Sequence, residues 1–137
     1  MKFPQVVVGA LILNKKGEIL LVKSHKWKNL WGLPGGKLKY GESIASALKR
    51  EVKEETGMKI KVVKMITLQE AIFSKEFHGK KHFIFIDYLC STNSSKVRLD
   101  KRELQEYLWI KPNKALKLKN LDSFAKRFIE EYLKASK

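Results

Sequence analysis

The stretch GKLKYGESIASALKREVKEETGM, residues 36–58, predicts a loop followed by a helix that carries acidic side chains. Residues three and four positions apart lie on the same face of a helix. Glu51, Glu54 and Glu55 are therefore expected to project from one face, with their carboxylates within a few ångströms of one another. The rest of the chain is expected to support this acidic helix.

The residues around the helix have the character of helix ends and of a buried face. The preceding residues LPGG, 33–36, allow the backbone to turn tightly and to approach a ligand. Ser43 is suited to cap the start of the helix, and Gly57 to end it in a left-handed conformation. Apolar side chains at helical spacing predict the buried face: Ile44, Ala47, Leu48 and Val52.

Three carboxylates this close to one another repel, so the cluster is unfavourable unless a cation lies among them. Carboxylate oxygens favour Mg²⁺, Mn²⁺ or Ca²⁺ over Zn²⁺, and no cysteine or histidine pair lies near the helix. Bound magnesium commonly keeps open positions for a substrate phosphate, which indicates phosphate-ester or phosphoanhydride chemistry. The alternative is a solvated acidic face whose carboxylates pair with Lys49, Arg50 and Lys53.

The same stretch resembles the box motif of the Nudix family, whose MutT-like members hydrolyse nucleotides. The match covers all nine defined positions of that motif at their fixed spacing: Gly36, Glu42, Arg50, Glu51, Val52, Glu54, Glu55, Gly57 and Met58. Outside the box the resemblance extends to the general layout of the chain.

The resemblance implies an enzyme that uses Mg²⁺ or Mn²⁺ to hydrolyse a nucleoside diphosphate linked to another group. The metal ligands that it implies are Glu51, Glu54, Glu55 and the carbonyl of Gly35. It further implies that Arg50 orients the acids and that Glu42 braces the loop through a salt bridge to the helix. Glu51 is the candidate general base, and Arg50 and Glu54 complete the candidate catalytic group.

Length and composition predict a single domain over residues 1–137, because compact domains commonly contain about 100 to 150 residues. No stretch approaches the roughly twenty apolar residues of a membrane span, and no signal-peptide core follows the N-terminus. Cys90 is the only cysteine, which excludes an internal disulfide and favours a role as a small buried hydrophobe. We therefore expect a soluble, cytoplasmic protein without a membrane partner, either a monomer or a homodimer.

The chain has 29 Lys and Arg residues against 14 Asp and Glu residues, a formal net charge of +15. Such a basic protein attracts polyanions, including nucleotides and RNA. Because the lysines are spread along the chain, a generally basic surface is an equally good interpretation.

Apolar runs predict strands over residues 3–13, 18–23, 59–74 and 82–90, and a shorter strand within residues 103–111. A short helix is expected over residues 112–118 and a terminal amphipathic helix over residues 121–135. Strands around one box helix, followed by a terminal helix, predict an α/β fold. The arrangement resembles the Nudix α/β/α sandwich, with helices on both faces of a mixed β-sheet. Gly9, inside the first strand, indicates a bulge, a close approach or ordinary packing.

The segment ahead of the box supplies candidate substrate-binding residues. Trp27 either stacks on a nucleobase, with Lys23 or Lys26 reaching a phosphate, or covers the edge of the sheet. Trp31 is expected to cover the edge of the sheet.

Two acids in later strands are further substrate-binding candidates. Glu70 interrupts an apolar segment, either facing the cleft or lying exposed on its strand. Alternation places Asp87 on an apolar face with Phe83, Phe85 and Leu89, so it points into the cleft or pairs with a basic residue.

An additional acid enters the metal site from the segment after the sheet in many Nudix proteins, and the segment ELQEYLW resembles that segment. Glu103 and Glu106 are both candidates, with Glu103 preferred. By resemblance the substrate is a nucleoside triphosphate, cleaved to pyrophosphate and a monophosphate. The alternatives are an RNA 5′ end, ADP-ribose or a nucleotide sugar, and a noncatalytic nucleotide- or RNA-binding module.

Overall fold

The computed structural model describes residues 2–25 and 27–136, in which a mixed β-sheet lies between helices. The strands are β1 (Gln5–Leu13), β2 (Ile19–Ser24), β3 (Trp31–Gly32), β4 (Gly35–Lys37), β5 (Lys61–Ile72), β6 (His82–Ser91) and β7 (Leu104–Ile110). The helices are α1 (Ile44–Thr56), α2 (Pro112–Ala115) and α3 (Ser123–Ala135).

The sheet has the order β3-β2-β1-β6-β5, with β4 paired to β1 and β7 paired to β2. β1 and β6 are parallel from Gln5 opposite Phe83 to Leu13 opposite Ser91, whereas the other pairs are antiparallel. β1 meets β2 at Leu13, but its earlier residues, Val7 to Gly9, pair with β4. The hairpin strands β1 and β2 therefore separate, and the box loop enters between them.

Helices cover both faces of the sheet, as the sequence predicts. The apolar face of α1 packs on one face of β1, in a cluster that contains Val8, Ala10, Ile12, Ala47, Leu48 and Val52. α3 packs on the opposite face, in a cluster that contains Leu11, Leu21, Ala125, Phe128 and Ile129. Alternate residues of β1 thus serve the two cores, which confirms the α/β sandwich.

The ends of α1 follow from its capping residues. The Ser43 hydroxyl accepts a hydrogen bond from the Ser46 N–H at 3.1 Å. Gly57 adopts φ +71°, and its N–H donates to the Lys53 carbonyl at 2.9 Å. Both caps confirm the prediction, and they give the acidic helix a defined start and end.

Four elements differ from the sequence prediction. β3 and β4 were not predicted, because strands of two or three residues show no measurable alternation. α2 ends at Ala115 rather than near residue 118. α3 starts at Ser123 rather than at residue 121, because the Asp122 carboxylate caps it by accepting from the Phe124 and Ala125 N–H groups at 2.8 and 2.9 Å.

Cys90 is fully buried in the core beneath α1, and burial raises its pKa to about 12. This confirms the prediction that Cys90 serves as a small apolar residue. No helix in the described part of the chain combines the length and the apolar composition that crossing a membrane requires.

Candidate active site

Arg50 connects the loop before α1 to two acids of the helix. Its Nε and Nη2 donate to the two carboxylate oxygens of Glu42 at 2.7 and 2.9 Å. Its Nη1 donates to Glu51 at 2.8 Å and lies 3.5 Å from Glu54. The hydrogen bonds from Arg50 lower the pKa of Glu42 to about 2, and the bond to Glu42 raises the pKa of Arg50. The predicted salt bridge from the loop to the helix is therefore present.

The carboxylate of Glu51 lies directly against the backbone of Gly36. A Cβ atom added to Gly36 would lie 2.3 Å from Glu51 Cδ, so a larger residue at position 36 would displace the carboxylate. The Glu51 side chain is only 14% exposed. Gly36 thus gives the acid access to the main chain of the loop.

Glu55 is buried and faces the neighbouring glycine. Its Oε1 accepts a hydrogen bond from the Gly35 N–H at 3.1 Å. A Cβ atom added to Gly35 would lie 2.0 Å from the carbonyl oxygen of Val8, because β4 packs tightly against β1. The fold therefore requires glycine at position 35.

The carboxylates of Glu51 and Glu54 lie near each other, because Arg50 Nη1 contacts both. The predicted approach of all three carboxylates, with Glu55, stays a prediction. Within residues 2–25 and 27–136, no group of three or more His, Cys, Asp or Glu side chains is arranged to hold a metal ion. In this structure, groups of the protein itself pair with the three carboxylates. Arg50 takes Glu51 and Glu54, the Gly35 N–H takes Glu55, and the Glu54 side chain stays 56% exposed.

A cavity of about 510 Å³, the outer cavity, lies beside the box. Its lining includes Trp27, Gly35, Glu51, Glu55 and Glu103. The cavity has the size of a small-molecule binding site. Its acidic lining is the part of the molecule best suited to a cation and to phosphate chemistry.

A second, inner cavity of about 30 Å³ adjoins the outer one, because Val7, Trp27, Leu33 and Gly35 line both. Polar groups reach it from three distant segments: Gln69 on β5, Asp87 on β6 and Asp122 at the cap of α3. The side-chain amide of Gln69 donates to Asp87 Oδ2 at 2.9 Å and to the Phe124 carbonyl at 2.8 Å.

The two acids of the inner cavity lie in surroundings that disfavour their charged forms. Burial raises the pKa of Asp87 to about 7, against a hydrogen bond from Gln69 that lowers it, and the charge of Asp122 raises it further. Burial likewise raises the pKa of Asp122 to about 6. The Asp87 carboxyl therefore keeps its proton to a higher pH than an ordinary aspartate, and in that form it can donate as well as accept a hydrogen bond.

Comparison with protein-family models identifies the family of this chain. A family model described as the NUDIX domain matches residues 3–132. The chain belongs to the Nudix family. This confirms the resemblance that the box residues indicate.

Nudix relatives match different shares of the chain. Nucleoside triphosphatase NudI of Escherichia coli is 32% identical over 118 residues, which are 79% of this chain and 82% of that protein. The 8-oxo-dGTP diphosphatase of Buchnera aphidicola is 44% identical over 63 residues, 44% of this chain and 47% of that protein. Nudix hydrolase 5 of Arabidopsis thaliana is 41% identical over 71 residues, 49% of this chain and 24% of that protein. The chain thus spans less than half the length of the latter two relatives.

The fold of the chain matches that of a solved MutT protein. The MutT protein from Methanosarcina mazei Go1 superposes with a TM-score of 0.86 at 29% sequence identity, covering 100% of this chain and 99% of that protein. The similarity confirms that the chain has the MutT-like Nudix fold.

Within this Nudix domain, the structure brings only some of the predicted site residues together. Trp27, Glu51, Glu55 and Glu103 line the outer cavity, and Asp87 lines the inner one. Of the two acids weighed in the segment after the sheet, Glu103 therefore lies at the site.

Glu106 and Lys23 lie outside the cavities and contact each other. Lys23 Nζ lies 3.6 Å from Glu106 Oε2 and 4.8 Å from the centroid of the Trp31 ring. The structure therefore does not bring Lys23 to the site where it was predicted to bind substrate. Lys26, the other predicted phosphate contact, lies outside the described residues.

Glu70 also lies away from the cavities. Its neighbour Gln69 pairs with Phe85 and reaches Asp87, whereas Glu70 pairs with Ile84 on the other face of the sheet and is exposed. Because side chains alternate along a strand, Glu70 and Gln69 point to opposite faces. Of the two alternatives for Glu70, the structure therefore shows the second, in which Glu70 lies exposed on its strand.

Gln69 and Asp122 are site residues that the sequence analysis missed. Asp122 precedes the terminal helix in a pattern typical of an N-cap, and that signal was available. Gln69 gave no such signal, because its role depends on the pairing of β5 with β6. The close approach considered at Gly9 is made by Asp87, whose Oδ1 would lie 2.9 Å from a Cβ atom at that position.

The buried Asp87 predicts that stability depends on pH. Its pKa rises from an ordinary 3.8 to about 7 on folding, so the unfolded chain loses its proton first as pH increases. The resulting stability is fully present below pH 3.8 and is lost as pH rises through about 7, by up to about 4 kcal/mol. Asp87→Asn stays neutral, so it should flatten this decline and be more stable than the wild type at alkaline pH. The variant should still lose some stability as pH rises, because burial also raises the pKa of Asp122.

Urea unfolding of Asp87→Asn and the wild type at mildly acidic and mildly alkaline pH measures this difference. Glu70→Gln is the matched control, because it removes an exposed carboxylate from the adjacent strand. Equal pH slopes for Asp87→Asn and the wild type would contradict the expectation.

Proposed function

We propose that this chain is a divalent-metal-dependent pyrophosphohydrolase that converts a nucleoside triphosphate to a nucleoside monophosphate and pyrophosphate. The observation that carries the proposal is the junction of the two cavities, one lined by the box acids and the other by aromatic, amide and carboxyl groups. A nucleotide has the matching division into a charged phosphate end and a flat, hydrogen-bonding base. Membership in the Nudix family and similarity to a protein named nucleoside triphosphatase support it.

The chemistry of the donors fits a hard divalent cation. Three carboxylates line the outer cavity, none of its described lining residues is Cys or His, and glycines at its wall leave room for the acids to approach the main chain. Such oxygen donors suit Mg²⁺ or Mn²⁺. The residues proposed to hold the metal are Glu51, Glu54, Glu55, Glu103 and the carbonyl of Gly35. When bound, a divalent ion polarises the phosphoryl group and lowers the pKa of a coordinated water.

The protein groups around the cavity divide the remaining tasks. Arg50 holds Glu51 by a 2.8 Å hydrogen bond to Oε1, which fixes the orientation of the carboxylate. We propose Glu51 Oε2 as the acceptor of the proton from the attacking water. Lys37 and Lys39 line the same cavity and supply positive charge for the phosphates.

At the other end of the site, Trp27 is proposed to stack on the nucleobase, whose edge reaches the inner cavity. Trp27 is half-buried, and its ring packs edge-on against Phe77 with centroids 5.7 Å apart, so its orientation is fixed. Asp87 then contacts the base edge, with the hydrogen bond from Gln69 holding its carboxyl in place. We propose that the base is selected by which oxygen of the Asp87 carboxyl donates a hydrogen bond and which accepts one.

A substrate panel tests the proposal. Free nucleoside triphosphates, ADP-ribose, nucleotide sugars and 5′-triphosphorylated RNA are incubated with Mg²⁺ in oxygen-isotope-labelled water, and the products are identified by mass spectrometry. We expect the highest kcat/KM for a nucleoside triphosphate, with pyrophosphate released and the label showing which phosphorus is attacked. Absence of turnover for every free nucleotide would refute the proposal, and binding without any turnover would favour a noncatalytic module.

A further inference from the structure

A surface groove of about 580 Å³ lies at the start of β1 and β6, separate from both cavities. Its lining combines exposed lysines with aromatic rings: Lys2, Phe3, Phe73, Lys80, Lys81 and His82. None of the described residues that line this groove is acidic. The proposed function assigns no task to these residues.

The two phenylalanine rings of the groove face solvent instead of packing in a core. Phe3 is 71% exposed and Phe73 is 57% exposed. Phe73 also has φ +56°, a left-handed conformation that bulky residues rarely adopt, and its N–H donates to the Lys81 carbonyl at 2.8 Å. A backbone strained in this way holds the Phe73 ring at the groove, beside the His82 ring at a centroid distance of 6.5 Å.

Positive charge and an unsatisfied polar atom accompany the rings. Lys80 Nζ lies 5.7 Å from the centroid of the Phe73 ring, and Lys2 and Lys81 are exposed on the same groove. His82 Nε2 is buried and has no hydrogen-bond partner among the described residues.

Neighbouring residues of β1 and β6 line the groove and the outer cavity. Gln5, which lines the groove, pairs with Phe83, which lines the outer cavity, and Val7 lines that cavity two residues further along β1. The Leu38 N–H donates to the Val6 carbonyl at 2.9 Å, so the segment that carries Lys37 and Lys39 runs beside this part of β1. Exposed lysines therefore accompany the path between the two sites.

We propose that the groove binds an unpaired polynucleotide strand whose 5′ phosphates reach the outer cavity. Repeating phosphates separated by flat bases match lysines interleaved with exposed rings, and sequence-tolerant single-strand sites are built in this way. An acidic peptide or an anionic membrane would provide the charge but no rings to stack on Phe3 and Phe73. The position of the 5′ phosphates rests on the proposed function, whereas binding of the strand does not.

Fluorescence anisotropy with a 3′-labelled, 5′-triphosphorylated single-stranded RNA of about 12 nucleotides tests the proposal. The measurement is made without divalent ions so that nothing is hydrolysed. Phe3→Ala combined with Phe73→Asn removes both rings while position 73 keeps a residue that tolerates the left-handed backbone. This variant should bind at least about tenfold more weakly.

Lys80→Gln with Lys81→Gln should weaken binding and reduce the slope of log affinity against log salt by about 1.4. The charge-matched control is Lys59→Gln with Lys96→Gln. These two lysines line a different cleft, so the control variant should bind the RNA like the wild type. Retention of wild-type affinity in the ring variant overturns the proposal. An equal loss in the control also overturns it, as does competition by polyglutamate or anionic vesicles as effective as that of unlabelled RNA.

The two proposals fail separately. A wild-type protein that hydrolyses nucleoside triphosphates but does not bind the RNA overturns the groove proposal alone. A protein that binds the RNA through the groove and hydrolyses no nucleotide overturns the proposed function alone. Circular dichroism of each variant establishes that it is folded before its affinity is compared.

Discussion

The double variant Glu54→Gln, Glu55→Gln is expected to lose about 10³-fold of its pyrophosphohydrolase turnover while remaining folded. Glutamine preserves the size of both side chains, and its amide oxygen can still accept the hydrogen bond that Glu55 receives from the Gly35 N–H. What the variant lacks is two negative charges on the face of α1 that is proposed to hold the divalent ion. The loss should therefore appear in kcat and in Mn²⁺ affinity, not in the melting temperature.

The matched control for this variant is Glu106→Gln. Glu106 is exposed and lies 3.6 Å from Lys23, outside both cavities, so its removal should leave turnover near the wild-type rate. Steady-state kinetics with a nucleoside triphosphate and calorimetric titration with Mn²⁺ provide the comparison. Turnover of the double variant within about twofold of wild type would remove these acids from the proposed site.

Gly35→Ala is expected to destabilise the protein by about 3 kcal/mol or more. The added Cβ would lie 2.0 Å from the Val8 carbonyl oxygen, which belongs to the backbone and cannot rotate away as a side chain would. Relief of the clash requires β4 to move from β1, which also moves the Gly35 N–H from Glu55. Urea unfolding monitored by tryptophan fluorescence measures the change in the free energy of unfolding.

Gly41→Ala separates the effect of space from that of backbone conformation. Gly41 has φ +80°, but a Cβ atom there would meet nothing within 4 Å. The strain of the left-handed backbone should therefore cost about 1 kcal/mol, and no clash adds to it. Equal losses for the two variants would show that the tight contact with Val8 is not what requires glycine at position 35.

The parts of the structure that were predicted from the sequence are governed by local rules. Ser43 and Gly57 mark the ends of α1 through hydrogen bonds to residues three or four positions away. Arg50 contacts Glu42 from two helical turns along the chain, so the box motif contains both partners. The alternating pattern of β6 likewise identified Asp87 as an acid on an apolar face.

The remaining features depend on contacts that the linear pattern does not contain. A shared helix face shows that Glu51, Glu54 and Glu55 are neighbours, but it does not show which donor each carboxylate takes. Lys23 lies near the box in sequence, yet it pairs with Glu106 because β2 pairs with β7.

The inner cavity is the clearest case of long-range dependence. Gln69 contacts the Phe124 carbonyl across 55 positions of the chain. Its hydrogen-bonding role follows from the register of β5 against β6 and from the docking of α3, and neither can be read from the residues around position 69.

The two cavities depend on different parts of the chain, and this difference matters near the melting temperature of the protein. The box acids and their glycines form one continuous stretch, whereas the inner cavity needs the start of α3 for Asp122 and for the Phe124 carbonyl. Proteins open locally in cooperative units, so an opening at the start of α3 would detach the wall proposed to contact the base while the box loop and α1 keep their own contacts. Discrimination between nucleotides would then decline at a lower temperature than cleavage itself.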